Sequence, residues 1–225
     1  MDFLDDFDTS ITLFLNNLVG KSRLLDESME WLSRSFFLSG ILLISLLWYR
    51  WFKDTRDKSR IWLIYGAVSA VFAGVLSRVL QHILPFHVRP LYNANLRLRF
   101  PLGMTAGAVS QLRSSFPSDH ACLYFALATV IFLSNRRLGL FAFLCAAIAS
   151  CTRVYLGIHY LTDVLGGALL GILVVILFRS IPLPRVAYRV LDWEEHDPPS
   201  FYALAFIVSY QVGRLFTELR AIAPP

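Results

Sequence analysis

The stretch TRVYLGIHYLTDVLGGALLGILVVILF, Thr152 to Phe178, decides how the chain is read. From Leu161 to Phe178 it is an apolar run in which Asp163 is the only charge. A helix rising about 1.5 Å per residue needs roughly 20 such residues to cross the hydrocarbon of a bilayer. The run therefore predicts a membrane span, and the residues ahead of it place Arg153 and His159 where that span opens. Gly167 and Gly171 lie four apart within it, a small-residue spacing that lets helices approach closely in lipid.

The same pattern recurs on both sides. Leu138–Leu156 and His120–Ser134 precede this run, Ile61–Leu84 and Trp31–Phe52 come earlier, and Phe201–Phe216 follows. The earliest has an uncharged core from Ser35 to Tyr49, while Arg78 and Arg214 interrupt the second and the last. The His120 run is too short to cross, so its polar start must lie near the interface. Gly66, Ala70 and Gly74 form another small-residue stripe, and Trp31, Trp48, Tyr49, Trp51 and Trp62 gather near span ends as interfacial belts do. With 225 residues, 56% of them hydrophobic, and a mean hydropathy of +0.56, the chain falls outside the ordinary soluble class. The expected fold is all-α and integral to a membrane: a helical bundle of about six transmembrane helices with an N-terminal amphipathic helix. The expected division is an amphipathic segment over residues 1–30, a catalytic transmembrane core over 31–181, and a surface loop with a final membrane helix over 182–225.

The N-terminal helix is expected from Ile11, Phe14, Leu15 and Leu18 on one face, with Thr9 or Ser10 as N-cap. Asp2, Asp5, Asp6 and Asp8 make it acidic, which excludes attraction to anionic lipid as its purpose and argues against a cleavable signal. Residues 182–199 read as a loop or short surface helix without chemistry. Cys122, Cys145 and Cys151 all lie in apolar runs and read as small buried hydrophobes rather than a disulfide framework. The net charge of +5 suits basic loops on one membrane face and also an anionic lipid substrate. Ten Lys and Arg fall on one side of the expected topology and nine on the other, with Arg78 and Arg214 inside spans. Setting aside Arg89 and Arg153 leaves ten against seven, a balance that turns the polar span ends outward.

Those span ends carry the chemistry. Arg89-Pro90, Pro117-Ser118-Asp119-His120, and Arg153 with His159 and Asp163 all fall on one expected face. Pro117-Ser118 marks a helix start with Ser118 as N-cap, leaving N–H groups of Asp119 and His120 free for an anion. His159 and Asp163, four apart, would stack on one helix face, where the carboxylate keeps one imidazole nitrogen protonated and frees the other as nucleophile or base. Arg89 and Arg153 suit bidentate recognition of phosphate oxygens. Each feature alone has a bland reading: a capped helix, a self-satisfied polar pair, a snorkelling arginine. All the bland readings would have to hold together, on one face, to explain the set.

These residues resemble the tripartite signature of the type-2 phosphatidic acid phosphatase superfamily: Lys-x6-Arg-Pro, Pro-Ser-Gly-His and Ser-Arg-x5-His-x3-Asp. The resemblance implies a membrane-embedded, metal-independent phosphatase without cofactor. His159 would be the nucleophile that becomes phosphohistidine, Asp163 would orient it, and His120 would protonate the leaving group and then activate water. Arg89, Arg153, Ser118 and Asp119 would form the phosphate-binding turn. Three positions depart from the signature. His82 stands where lysine is expected, so Arg78 one turn earlier, or Arg97, Arg99 or Arg113, could supply the missing contact. Asp119 replaces glycine, and must point away, cap the helix or help handle a proton. Thr152 replaces serine and keeps the hydroxyl.

The Pro-Ser-Asp-His variant, the missing lysine, and the opening with Leu25-Asp26 and Met29 resemble the bacterial undecaprenyl-diphosphate phosphatase branch. The expected function is hydrolysis of a lipid diphosphate, undecaprenyl diphosphate favoured, at the outer face of a bacterial inner membrane. The implied partners are the lipid substrate and the bilayer, with no nucleic acid. The alternatives are phosphatidylglycerol phosphate, phosphatidic acid or a lipid A phosphate as substrate, or phosphoryl transfer to an acceptor lipid. A transporter, and a metal-dependent phosphatase using His120, His159 and Asp163 as ligands, are the readings from other classes.

Overall fold

The computed structural model describes residues 3–34, 40–100, 113–182 and 185–213. Among them the regular elements are helices: α1 (Phe3–Asn16), α2 (Arg23–Arg34), α3 (Leu42–Lys53), α4 (Asp57–Ile83), α5 (Asp119–Ser134), α6 (Arg136–Tyr155), α7 (Leu161–Ser180), α8 (Arg185–His196) and α9 (Pro198–Gly213), with a short 3-10 turn at Pro90–Tyr92. By length and composition α4, α6 and α7 can each cross a membrane. Each exposes a file of large apolar side chains: Phe72, Val75 and Val79 on α4, Leu140, Leu144 and Ile148 on α6, and Leu165, Leu169, Leu173 and Leu177 on α7. Files of this size on an outer surface mark contact with lipid rather than water.

Helix α5 inverts that pattern. Its 16 residues reach only about 24 Å, and most of its side chains are buried, because α4, α6 and α7 pack around it. Glycines permit the closest of these approaches. A Cβ on Gly171 would lie 2.1 Å from the Cys122 carbonyl oxygen, and one on Gly167 would lie 2.3 Å from that of Ser118. On α4, a Cβ at Gly66 would meet Val130 Cγ1 at 2.5 Å, whereas Gly74 has room, its nearest neighbour being Leu123 at 3.9 Å. The short expected span is thus the hub of the bundle, and its first turn is held in place by α7.

The two ends of α4 separate two surfaces. At its start Arg60 pairs with Glu194 of α8 at 3.2 Å and lies over the Trp51 ring. Trp48, Trp51, Trp193, Phe201 and Tyr202 cluster there, so residues 185–196 form a helix against α4, away from the chemistry. The end of α4 reaches the polar stretches instead. There α1 and α2 pack on α6 and α7. Asp8 is buried and accepts hydrogen bonds from the backbone N–H (3.0 Å) and the hydroxyl of Thr162. Asp26 accepts from the Tyr155 hydroxyl at 2.5 Å and from the Gly20 N–H at 3.0 Å.

Several expectations change. Helix α1 starts near Phe3, ahead of Thr9 and Ser10, with Asp5 and Asp6 favouring its N-terminus. Ser10 is mid-helix and donates to the Asp6 carbonyl. Its polar Asp8 and Thr12 face inward, while Phe14 is exposed. Residues 31–34, expected to open the first span, belong to α2, a second amphipathic helix. Ser35 to Ser39, within that span's expected core, lie outside the described residues, as do Arg214 and Phe216 of the last span. Cys151 faces outward on α6 instead of being buried.

Candidate active site

Backbone hydrogen bonds bring the three polar stretches together before any side chain is considered. Leu91 N–H donates to the Gly157 carbonyl (2.9 Å), Ser118 N–H to that of Asp163 (3.0 Å), and Ser115 N–H to that of His87 (2.9 Å). Gly157 has φ +67, a left-handed conformation that glycine adopts without steric cost, and it turns the chain from α6 back toward α7. From α4, Gln81 Nε2 and Ser77 Oγ donate to the Pro117 carbonyl at 2.8 and 3.2 Å. Ser118 caps α5 as expected, its hydroxyl accepting from Ala121 N–H at 3.4 Å.

His159 is buried in the turn before α7, not on the helix itself. The helical stacking expected from its four-residue spacing to Asp163 is therefore replaced by a capping turn, in which Asp163 Oδ2 accepts the Tyr160 N–H at 2.8 Å. His159 Nδ1 is 3.0 Å from the Ser115 carbonyl oxygen and 3.5 Å from Asp163 Oδ2. Both are acceptors, so Nδ1 carries the proton and Nε2 keeps its lone pair. Nε2 lies 3.4 Å from Arg89 Nη1, a donor, in agreement with that tautomer. Burial lowers the pKa of His159 and the Asp163 hydrogen bond opposes it, so the ring stays neutral at neutral pH. A neutral imidazole with a fixed Nδ1–H and an unprotonated Nε2 is a nucleophile or base.

Arg89 is only 8% exposed. Its Nη1 donates to the Ile158 carbonyl at 3.0 Å and its Nη2 approaches that of Ser114 at 3.4 Å. Its Nε is buried without a hydrogen-bond partner among the described residues. A buried guanidinium with a donor left over, on a side chain that also contacts His159, fits an oxyanion. Burial lowers the pKa of Arg89, and the charges of Asp119 and Asp163 counter that shift.

His120 occupies the first turn of α5, its Nδ1 2.8 Å from Asp119 Oδ1. The other carboxylate oxygen, Oδ2, accepts from Arg78 Nη2 at 2.6 Å. Asp119 therefore neither points away nor offers bare negative charge to an anion: one oxygen holds Arg78 and the other holds the His120 N–H. Arg78, a candidate phosphate contact, has its Nη2 committed to Asp119. Arg153, half-buried on the last turn of α6, lies within electrostatic reach of Asp119, Tyr124 and His120.

His82 is exposed on the last turn of α4, and Arg97 and Arg99 are exposed on the following loop. The residue missed from the sequence is His87. Its Nδ1 lies 3.2 Å from Asp163 Oδ1 and 2.9 Å from Ser115 Oγ, and its ring packs on Tyr160 at 5.0 Å. Ser114 and Ser115 were missed as well, because their carbonyls, not their side chains, meet Arg89 and His159. The available signal was proximity: His87 is two residues before Arg89, and Ser114 and Ser115 are three and two before Pro117. Among the described residues, no three His, Cys, Asp or Glu side chains gather as metal ligands.

Comparison with known proteins bears on the fold and the family. A family model described as the PAP2 superfamily matches residues 93–186. The bacitracin transport permease protein BcrC of Bacillus licheniformis is 27% identical over 187 residues, covering 81% of this chain and 84% of that protein. The undecaprenyl-diphosphatase BcrC of Bacillus subtilis (strain 168) is 23% identical over 164 residues, covering 73% and 78%. A crystal structure of a transmembrane PAP2 type phosphatidylglycerolphosphate phosphatase from Bacillus subtilis shares the fold, with a TM-score of 0.56 at 24% identity, covering 80% of this chain and 86% of that one. A matched family model over residues 93–186, relatives aligned over most of their length and a shared helical fold make the chain similar to phosphatases of the PAP2 superfamily.

Proposed function

We propose that this membrane phosphatase removes the terminal phosphate of a lipid diphosphate, with undecaprenyl diphosphate as the favoured substrate and the outer face of a bacterial inner membrane as the place. The observation that carries the reading is His159, with Nδ1–H held by Ser115 and Asp163 and the Nε2 lone pair facing the buried Arg89 guanidinium, 3.4 Å from Nη1. The similarity to two BcrC proteins, one of them named an undecaprenyl-diphosphatase, supports the choice of lipid. So does Asp119 in place of glycine.

In this mechanism His159 Nε2 attacks the terminal phosphorus in line with the bridging oxygen. Arg89, Arg153 and the N–H groups at the start of α5 hold the equatorial oxygens. The P–N bond forms as the P–O bond to the lipid monophosphate breaks, and His120 Nε2 gives its proton to the departing oxygen. Asp163 stabilises the positive charge that develops on His159. Water, deprotonated by His120, then attacks the phosphohistidine, releasing inorganic phosphate and restoring both histidines.

The test is phosphate release by the purified protein from a panel of undecaprenyl diphosphate, phosphatidylglycerol phosphate, phosphatidic acid and lipid A, each with and without chelator. Preferential turnover of the diphosphate, unaffected by chelator and absent in His159→Ala, is the expected result. Faster turnover of another lipid would reassign the substrate. Phosphate appearing on an added acceptor lipid would make the protein a phosphotransferase, and activity retained in His159→Ala would remove the phosphohistidine.

A further inference from the structure

Asp163 has two carboxylate oxygens and three claimants. Oδ2 takes the Tyr160 N–H and stands 3.5 Å from His159 Nδ1. Oδ1 stands 3.2 Å from Nδ1 of a second histidine, His87. A buried carboxylate only accepts, so His87 Nδ1 must carry a proton, shared between Asp163 Oδ1 and Ser115 Oγ at 2.9 Å. Ser115 ties the pair together, because its carbonyl accepts from His159 while its hydroxyl meets His87. His87 and His159 thus flank one carboxylate, and their environments differ. Asp163 is 0% exposed, while the His87 side chain is 37% exposed and can exchange protons with water.

We infer that His87 is a positioning residue that fixes the carboxylate of Asp163 and, by gaining or losing a proton, sets how much of its charge is left to stabilise His159. This rests on the reading of His159 as the nucleophile. A neutral His87 holds Oδ1 by one N–H and leaves the carboxylate's charge for the cation that forms on His159 as the P–N bond is made. A protonated His87 neutralises that charge, so phosphohistidine formation slows. It also adds positive charge at the site, so a phosphate binds more tightly.

The groups facing His87 are Asp163 of α7, Tyr160 ahead of α7, and Asp8 and Asp5 of α1. The hydrogen bond to Asp163, and the charges of Asp163, Asp8 and Asp5, raise the pKa of His87 above its ordinary value against the effect of burial. His159 is shifted the other way. An acid limb above the ordinary histidine range is thus assigned to His87 and not to the nucleophile.

The experiment compares wild type, His87→Asn and His87→Ala in detergent, reading kcat and KM against pH for whichever lipid of the panel turns over. The Asn amide nitrogen mimics Nδ1–H but does not titrate. In wild type, kcat and KM should rise together as pH climbs through the region just above the ordinary histidine value. His87→Asn should keep kcat within about threefold of the wild-type high-pH value and lose that limb. His87→Ala should fall about tenfold, as when an orienting partner is removed from a histidine. A wild-type-like pH limb in His87→Asn, or an alanine variant equal to wild type, overturns the inference. Should His87→Ala not survive purification, the wild-type and asparagine profiles still decide. A wild type that releases no phosphate from any lipid would instead overturn the proposed function.

Discussion

Arg78 Nη2 lies 2.6 Å from Asp119 Oδ2, while Asp119 Oδ1 lies 2.8 Å from His120 Nδ1. An arginine on α4 thus reaches the proton donor of the proposed mechanism through one carboxylate. A buried carboxylate held on both oxygens fixes the orientation of the ring it touches. Arg78→Ala is expected to lower kcat about tenfold with little change in KM, since the arginine acts through His120. Asp119→Asn should do the same. A rise in KM with unchanged kcat would place Arg78 on the substrate instead.

The two histidines beside Asp163 oppose each other in their effect on stability. His159 has its pKa lowered in the fold, so the unfolded chain binds more protons there and stability falls as pH drops through the ordinary histidine range. His87 has its pKa raised, so its contribution is complete below the unfolded value and is lost as pH rises through the folded one. Removing the titration in His87→Asn should therefore lower the melting temperature more at acid pH than at alkaline pH. Thermal unfolding across that range checks the sign.

Gly171 brings α7 against the backbone of α5, and the Cys122 carbonyl cannot move aside without shifting the helix. Gly171→Leu should destabilise the protein by about 3 kcal/mol, at the upper end of overpacking costs. Gly74→Ala, with open space at 3.9 Å, should be neutral or gain up to about 1 kcal/mol from helix propensity. Thermal unfolding in detergent should separate the two clearly.

Asp8 holds the start of α7 from outside, accepting from Thr162, one residue before Asp163. Asp8→Ala leaves the partly buried Thr162 N–H without its partner, at a cost of about 1 kcal/mol. The expected outcome is a lower melting temperature together with reduced kcat, because the capping turn that carries His159 loosens. A melting temperature equal to wild type would show that α1 is dispensable for that turn.

The sequence by itself determined the membrane class, the helical architecture and the residues the proposed mechanism uses. Hydropathy is additive along a chain, so the α4, α6 and α7 spans were legible from residue order alone. The same holds for the helix start at Ser118 and for the spacing of Arg89, His120, Arg153, His159 and Asp163, because local chemistry and motif spacing need no fold. Only the tertiary structure decided which helix is the hub, which face of α1 turns inward, and what the departing residues do. Helix α5 looked like a deficient span because sequence does not reveal that its neighbours bury it. Asp119 and Arg78 could be joined only once α4 and α5 were packed, since a hydrogen bond between residues 41 apart depends on the distance between helices. His87 showed no periodicity, yet it reaches Asp163 across 76 residues because the loop after α4 folds back over the opening of α7.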